Sequence, residues 1–142
     1  MSPKPRAFGL SLATLAISLI TPFHALHAAE GLALATRPSY SGYEIQLLDD
    51  ADKEPSKTST ASLYRYVAPT ANSVKPAGQW NTIDIECAGP KIRITLNGKL
   101  IQDVDQTQVE EIKGKPLQGF VSLQNHGKLI EFRNLKLKKD KS

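Results

Sequence analysis

Two stretches of the chain group residues that could do acid–base or binding chemistry. In "LQNHG", His126 follows Gln124 and Asn125 and precedes Gly127. Histidine is the side chain whose unperturbed pKa lies nearest neutrality, so His126 is the first candidate for a general base or a metal ligand. Gln124 has the same strand parity and could present its amide to the same space. In "GYEIQLLDD", Glu44 and Gln46 alternate with Tyr43, Ile45 and Leu47, which places a carboxylate and an amide on one face. There a glutamate serves as base or metal ligand and a glutamine as a hydroxyl clamp. Asp49 closes that stretch, Arg37 before Pro38 could grip a carbonyl or hydroxyl, and Tyr64 and Trp80 are aromatic platforms. Each has a plain structural counterpart. Asn125-His126-Gly127 is also a turn in which Gly127 supplies a positive φ. An alternating polar row is also an ordinary solvent face. Asp49 initiates a turn, Arg37 is an exposed turn charge, and Trp80 heads an apolar strand where core packing is the simpler role.

The elements that would position these groups are strands. After Ala29 nearly every periodic segment alternates with period two. "NTIDIECA" turns Ile83, Ile85 and Cys87 inward, and "KIRITLNGKLIQDV" sets Ile92, Ile94 and Leu96 on one side before Asn97-Gly98. Asn-Gly between apolar runs predicts a two-residue hairpin, because both positions need positive φ. "GFVSLQ" and "LIEFRNLKLK" complete the set, with a bulge or kink expected near Arg133-Asn134, where the apolar phase slips. "TQVEEIKGK" allows one short helical turn. "DDADKEPSKTSTAS" and "APTANSVKPAG" read as surface loops, a setting in which binding sites are often shaped. The class is all-β, a two-sheet antiparallel sandwich or jelly roll in a single domain.

The first residues read as a leader. Lys4 and Arg6 precede the apolar "AFGLSLATLAISLI", and Pro22 and small residues lead to a cut at Ala28 or Ala29. Residues 1–29 are thus expected to be a signal peptide and 30–142 the mature domain, placed in the periplasm or outside the cell with no stable membrane span after cleavage. The alternative is an uncleaved anchor, for which the run is short. The formal charge is +4, and Lys4 and Arg6 account for two of those charges. The remaining excess lies in "LKLKKDKS", a solvated terminus without interleaved aromatics, which argues against nucleic acid. Cys87 is the only cysteine, so no internal disulfide is available and packing must hold the fold; its phase with Ile83 and Ile85 predicts a buried thiol.

Taken in order, "GYEIQLLDD", the run from Ala61 to Val104 and "GFVSLQNHGKLIEFRNLKLK" resemble the 3-keto-disaccharide hydrolase family, over about Gly31 to Lys138. The resemblance rests on the Tyr-Glu-x-Gln strand, the Lys-Pro-x-Gly-x-Trp segment, the Leu-Asn-Gly hairpin and the Leu-Gln-x-His-Gly to Phe-Arg-Asn ending. It implies a concanavalin A-like lectin/glucanase sandwich, an exported bacterial protein, and cleavage of 3-keto-glycosides or 3-keto-disaccharides by proton abstraction next to the ketone. It also implies an oxidised di- or oligosaccharide as partner. Glu44 and His126 would be the catalytic pair, with Arg37, Gln46, Asp49, Tyr64 and Gln124 on the substrate. A divalent metal ion held by Glu44 and His126 could stabilise the enolate. Two departures stand out. Tyr64 follows Ala61-Ser62-Leu63 where a Gly-Ala pair is more usual. The leader runs almost directly into what looks like the middle of the domain, so the sandwich is expected to be incomplete: a truncated product, a homodimer that completes its own core, or a divergent minimal member. The rival to an enzyme is a non-catalytic, lectin-like carbohydrate-binding module or an inactive fragment.

Overall fold

The computed structural model describes residues 42–119, 121–125, 127 and 129–138. Its central element is a three-stranded antiparallel meander in the order β1 (Ile83–Ala88), β2 (Lys91–Leu96), β3 (Lys99–Asp105). The β-branched residues of "IDIECA" and "KIRITL" suit a pleated, half-buried surface. Gly89, at φ 56°, turns β1 into β2. Asn97 and Gly98, at φ 51° and 82°, turn β2 into β3 as the Asn-Gly pair predicts.

Asn97 does more than turn the chain. Its Nδ2 donates to the Ser73 carbonyl and to Asn81 Oδ1, both at 2.7 Å, and its Oδ1 accepts from the Thr82 N–H at 2.9 Å. The hairpin is therefore fastened to both segments that precede β1.

One irregularity shapes the sheet. Ile94 pairs with Gln102 while Thr95 pairs with Leu100, which leaves Ile101 as an extra residue in β3. This bulge sends two successive side chains, Ile101 and Gln102, to the buried side. The freed Ile101 carbonyl accepts from the Thr70 N–H at 2.8 Å and the Thr70 hydroxyl at 3.1 Å.

The second layer is a short ladder of residues 43–47 against 60–64, continued by a tight turn to Val67. Ile45 bridges Leu63, and Leu63 bridges Val67, both antiparallel. The core lies between the layers. Ile92, Ile94, Leu96, Ile101 and Val104 come from the sheet, Tyr43, Ile45, Ala61 and Leu63 from the ladder, and Ile112 from the turns after a 3-10 helix at Gln106–Gln108. The chain is thus all-β and antiparallel, two layers on one apolar core. Asp105 caps the 3-10 turn by accepting from the Thr107 N–H and hydroxyl.

Three expectations need correction. Cys87 is exposed rather than buried. It has the inward phase, but β1 is the edge of the meander, and its inner residues Ile83 and Ile85 are only half-buried. Trp80 is 42% exposed, not core, and the Arg133 guanidinium lies 3.9 Å from its ring centroid. The segment around Val121–Leu137 keeps an alternating sequence yet enters no strand among the described residues; Asn134 takes φ 55° at the expected kink.

Asn97→Ala places a Cβ residue without local polar compensation in the left-handed region and removes three side-chain hydrogen bonds. It should cost about 2–3 kcal/mol in denaturant unfolding, well above a simple turn substitution.

Candidate functional site

The polar face of the 43–47/60–64 ladder is where the sequence candidates meet. Tyr64 N–H donates to the Glu44 carbonyl at 2.8 Å and Gln46 N–H to the Ser62 carbonyl at 3.2 Å, on either side of the Ile45–Leu63 pair. Ile45 and Leu63 point into the core. Alternation then places Glu44, Gln46, Ser62 and Tyr64 together on the opposite face.

That face is not a solvent row. Glu44 is 7% exposed, Gln46 5% and Ser62 0%, while Tyr64 is half-buried with the Arg65 guanidinium 5.1 Å from its ring centroid. Gln46 Oε1 and Ser62 Oγ have no hydrogen-bond partner among the described residues. A buried polar atom without a partner costs about 1–3 kcal/mol, so such atoms mark places where stability yields to another requirement.

The local backbone explains how Ser62 reaches this face. Gln46 C=O accepts from the Ala61 N–H at 2.7 Å, whereas its N–H donates to Ser62. Two residues, Ala61 and Ser62, therefore stand opposite one, and Ala61 has φ 64°. This is a bulge whose first residue is left-handed, a position that favours glycine. Here alanine occupies it. Arg65, at φ 72°, is left-handed as well. Gln102 braces the bulge from β3, its Nε2 donating at 3.2 Å to the carbonyls of Ala61 and Val67.

The long loop that leads in is anchored by Asp50, not Asp49. Asp49 is exposed. The buried Asp50 carboxylate accepts from the Thr60 N–H at 2.8 Å and the Thr60 hydroxyl at 2.6 Å, and Asn72 Nδ2 donates to its carbonyl at 2.7 Å. The end of the predicted surface loop, Ser59 to Ser62, is buried.

Behind the ladder, Tyr43 is fixed among buried groups. Its hydroxyl donates to Gln106 Oε1, and Gln106 Nε2 donates to the Lys115 carbonyl at 2.7 Å. Lys115 Nζ donates to the Gly42 carbonyl at 2.5 Å and lies 5.5 Å and 4.7 Å from the ring centroids of Tyr43 and Tyr66. Burial pushes the Tyr43 phenol up to about 12, with Cys87 and Tyr66 adding to the shift, and burial lowers the Lys115 ammonium. The residue preceding Glu44 is therefore held by a polar network.

Gln124 is half-buried, and Gly127 takes φ 84° with its N–H donating to Asn125 Oδ1 at 2.8 Å, the turn chemistry the sequence predicts. His126 and Arg37 lie outside the described residues. Among the described residues no group of three or more His, Cys, Asp and Glu side chains could hold a metal ion. Two open clefts lie elsewhere, on the outer face of the sheet around Glu86, Arg93 and Asp103. Arg93 stands 3.6 Å and 3.7 Å from those carboxylates, all of them exposed, an arrangement worth little in energy.

The family model of the 3-keto-alpha-glucoside-1,2-lyase-like domain matches residues 25–138. Two solved structures from Parabacteroides distasonis ATCC 8503, each provisionally assigned as a glycosyl hydrolase, share the fold with TM-scores of 0.64 and 0.59 at 21% and 19% identity. Both alignments cover 84% of this chain, but only 66% of the first protein and 60% of the second. The chain therefore spans less than two thirds of either. No match is found among curated proteins.

Two outcomes follow from the bulge and the network. Ala61→Gly should raise stability by about 0.5–1 kcal/mol in denaturant unfolding, the left-handed strain outweighing glycine's greater entropy in the unfolded chain. Tyr43 has a folded pKa of about 12 against an ordinary 10.0. Its contribution is complete below the unfolded value and is lost as pH rises through the folded one. Unfolding measured from pH 9 to 12 should therefore show a steeper loss for the wild type than for Tyr43→Phe.

Proposed function

The chain belongs to the 3-keto-alpha-glucoside-1,2-lyase-like domain family, and from that premise we propose that it cleaves glycosides already oxidised to the ketone at C3. The ketone acidifies the hydrogen on C2. A base takes that proton, the C2–H electron pair becomes the C1–C2 double bond, and the C1–O bond breaks. The leaving oxygen takes up a proton, and water adding back across the double bond yields the free 3-keto sugar. The family description names a lyase acting across positions 1 and 2, which fits this elimination. Ordinary glycosidases work differently, with two carboxylates about the anomeric carbon.

The observation that carries the reading is the buried Glu44 carboxylate beside Gln46 and Ser62 on one face of a braced ladder. In this reading Glu44 is the base, and Gln46 and Tyr64 hold hydroxyls and the ring face. His126, Arg37 and Gln124 remain proposed partners: His126 as the second acid–base group and the others on substrate oxygens. A divalent cation would supply enolate stabilisation; Glu44 would be one ligand, and others would have to come from beyond the described residues. The leader over 1–29 is proposed to export the domain, where its carbohydrate would be met; among the described residues no helix is long and apolar enough to cross a membrane.

The test is direct. Purified protein incubated with a 3-keto-disaccharide in D2O should release the 3-keto monosaccharide and place deuterium at C2. Glu44→Gln should lower both rates by about 100-fold or more while circular dichroism stays unchanged, in the range expected for loss of a general base. Full activity in Glu44→Gln would remove Glu44 from the base role. Saturable binding of the disaccharide with neither release nor exchange would instead make the protein a carbohydrate-binding module.

A further inference from the structure

Ser62 has no role in the reading above, and its chemistry points to one. Its hydroxyl is fully buried on the Glu44–Gln46 face and has no hydrogen-bond partner among the described residues, and the same is true of Gln46 Oε1. The two residues are cross-strand neighbours at the Ala61–Ser62 bulge, where facing side chains start about 5 Å apart at Cβ. An amide oxygen only accepts, whereas a serine hydroxyl both donates and accepts. A group that satisfies both atoms at once must donate to Gln46 Oε1 and either donate to or accept from the Ser62 hydroxyl. A sugar hydroxyl can do either; a carboxylate has no proton for Gln46, and an ammonium only donates, which leaves the serine proton unused.

We propose that Ser62 and Gln46 form a binding subsite for a single hydroxyl of the glycoside substrate, with Ser62 as a specificity-determining contact. The inference rests on the proposed glycoside activity and deepens it. The left-handed Ala61 and the Gln102 bracket keep Ser62 turned to this face at a cost in backbone strain, as binding sites commonly do. Because the serine hydroxyl has no partner among the described residues, its removal should not weaken the fold. This separates a ligand contact from a structural one.

The experiment compares wild type and Ser62→Ala on methyl α-glucoside and its 4-deoxy and 6-deoxy analogues by titration NMR, and on the 3-keto form by steady-state kinetics. Ser62→Ala should melt at the same temperature or higher. It should bind methyl α-glucoside about 5- to 15-fold more weakly, the size of one lost hydrogen bond. KM for the 3-keto form should rise by a similar factor with kcat little changed. One deoxy analogue should bind the wild type as weakly as the parent binds Ser62→Ala, with no further loss when both changes are combined. Unchanged affinity in Ser62→Ala, a lowered melting temperature, or fully additive losses with every analogue would overturn the subsite while leaving the enzymatic reading standing. So would an ordered water that still bridges the two atoms with sugar bound. A wild type that neither binds these glycosides nor cleaves the 3-keto form would overturn both.

Discussion

The arrangement depends on the side-chain amide of Gln102. It is a link by which the three-stranded sheet grips the shorter ladder, through the carbonyls of Ala61 and Val67. Those carbonyls bracket the Leu63 turn, so the same amide holds both Ala61 in its left-handed conformation and the approach to Val67. Gln102 can do this because the extra residue Ile101 lets two successive side chains of β3 face inward. A glutamine in a dry core is tolerable only when its donors are used, and here the amide donates at 3.2 Å to the Ala61 carbonyl and to the Val67 carbonyl, which also accepts from the Leu63 N–H. The polar face carrying Glu44 and Gln46 is therefore positioned by a residue of the other layer.

Much of this was legible in the sequence, for physical reasons that can be named. Asn97-Gly98 fixes a hairpin because few other pairs accept two positive φ values in succession. The alternation in "GYEIQ" does separate Tyr43 and Ile45 from Glu44 and Gln46. What alternation does not reveal is the fate of the polar side. Whether such a row faces water or is covered depends on residues far away in the chain, and here Glu44 and Gln46 are buried. Ser62 was hidden for a related reason. "KTSTASLY" is small and polar, which is the composition of a surface loop, and only pairing with residues 44–46 buries its end. Asp50 rather than Asp49 is the anchoring carboxylate because Thr60 comes back over it, a contact set by loop closure. Cys87 shows the converse: its phase was read correctly, but phase does not tell whether a strand lies at a sheet edge. His126 and Arg37 lie outside the described residues, and their roles are proposals from the sequence.

The strained positions cluster. Ala61 and Arg65 are the two residues other than Asn, Asp and Gly with positive φ among the described residues, and they flank the segment whose Ser62 and Tyr64 build one side of the polar face. Local strain of this sort persists where the surroundings over-determine it. Hydrogen bonds at Ser59–Thr60 fix one flank and the closed Leu63–Val67 pair fixes the other. The face is thus preorganised before any ligand arrives, which is what a site that must discriminate among hydroxyl groups needs.

The contact between Arg133 and Trp80 has a practical consequence. Trp80 is the only tryptophan in the chain, and it lies outside the apolar core, capped by a guanidinium from the C-terminal segment. Intrinsic fluorescence excited at the indole therefore reports the seating of that segment on the loop before β1. Collapse of the core around Ile94 and Leu63 will be visible only through other probes. A thermal or denaturant scan followed by emission alone would time the release of the tail and could be mistaken for global unfolding; far-ultraviolet dichroism recorded on the same sample would separate the two events.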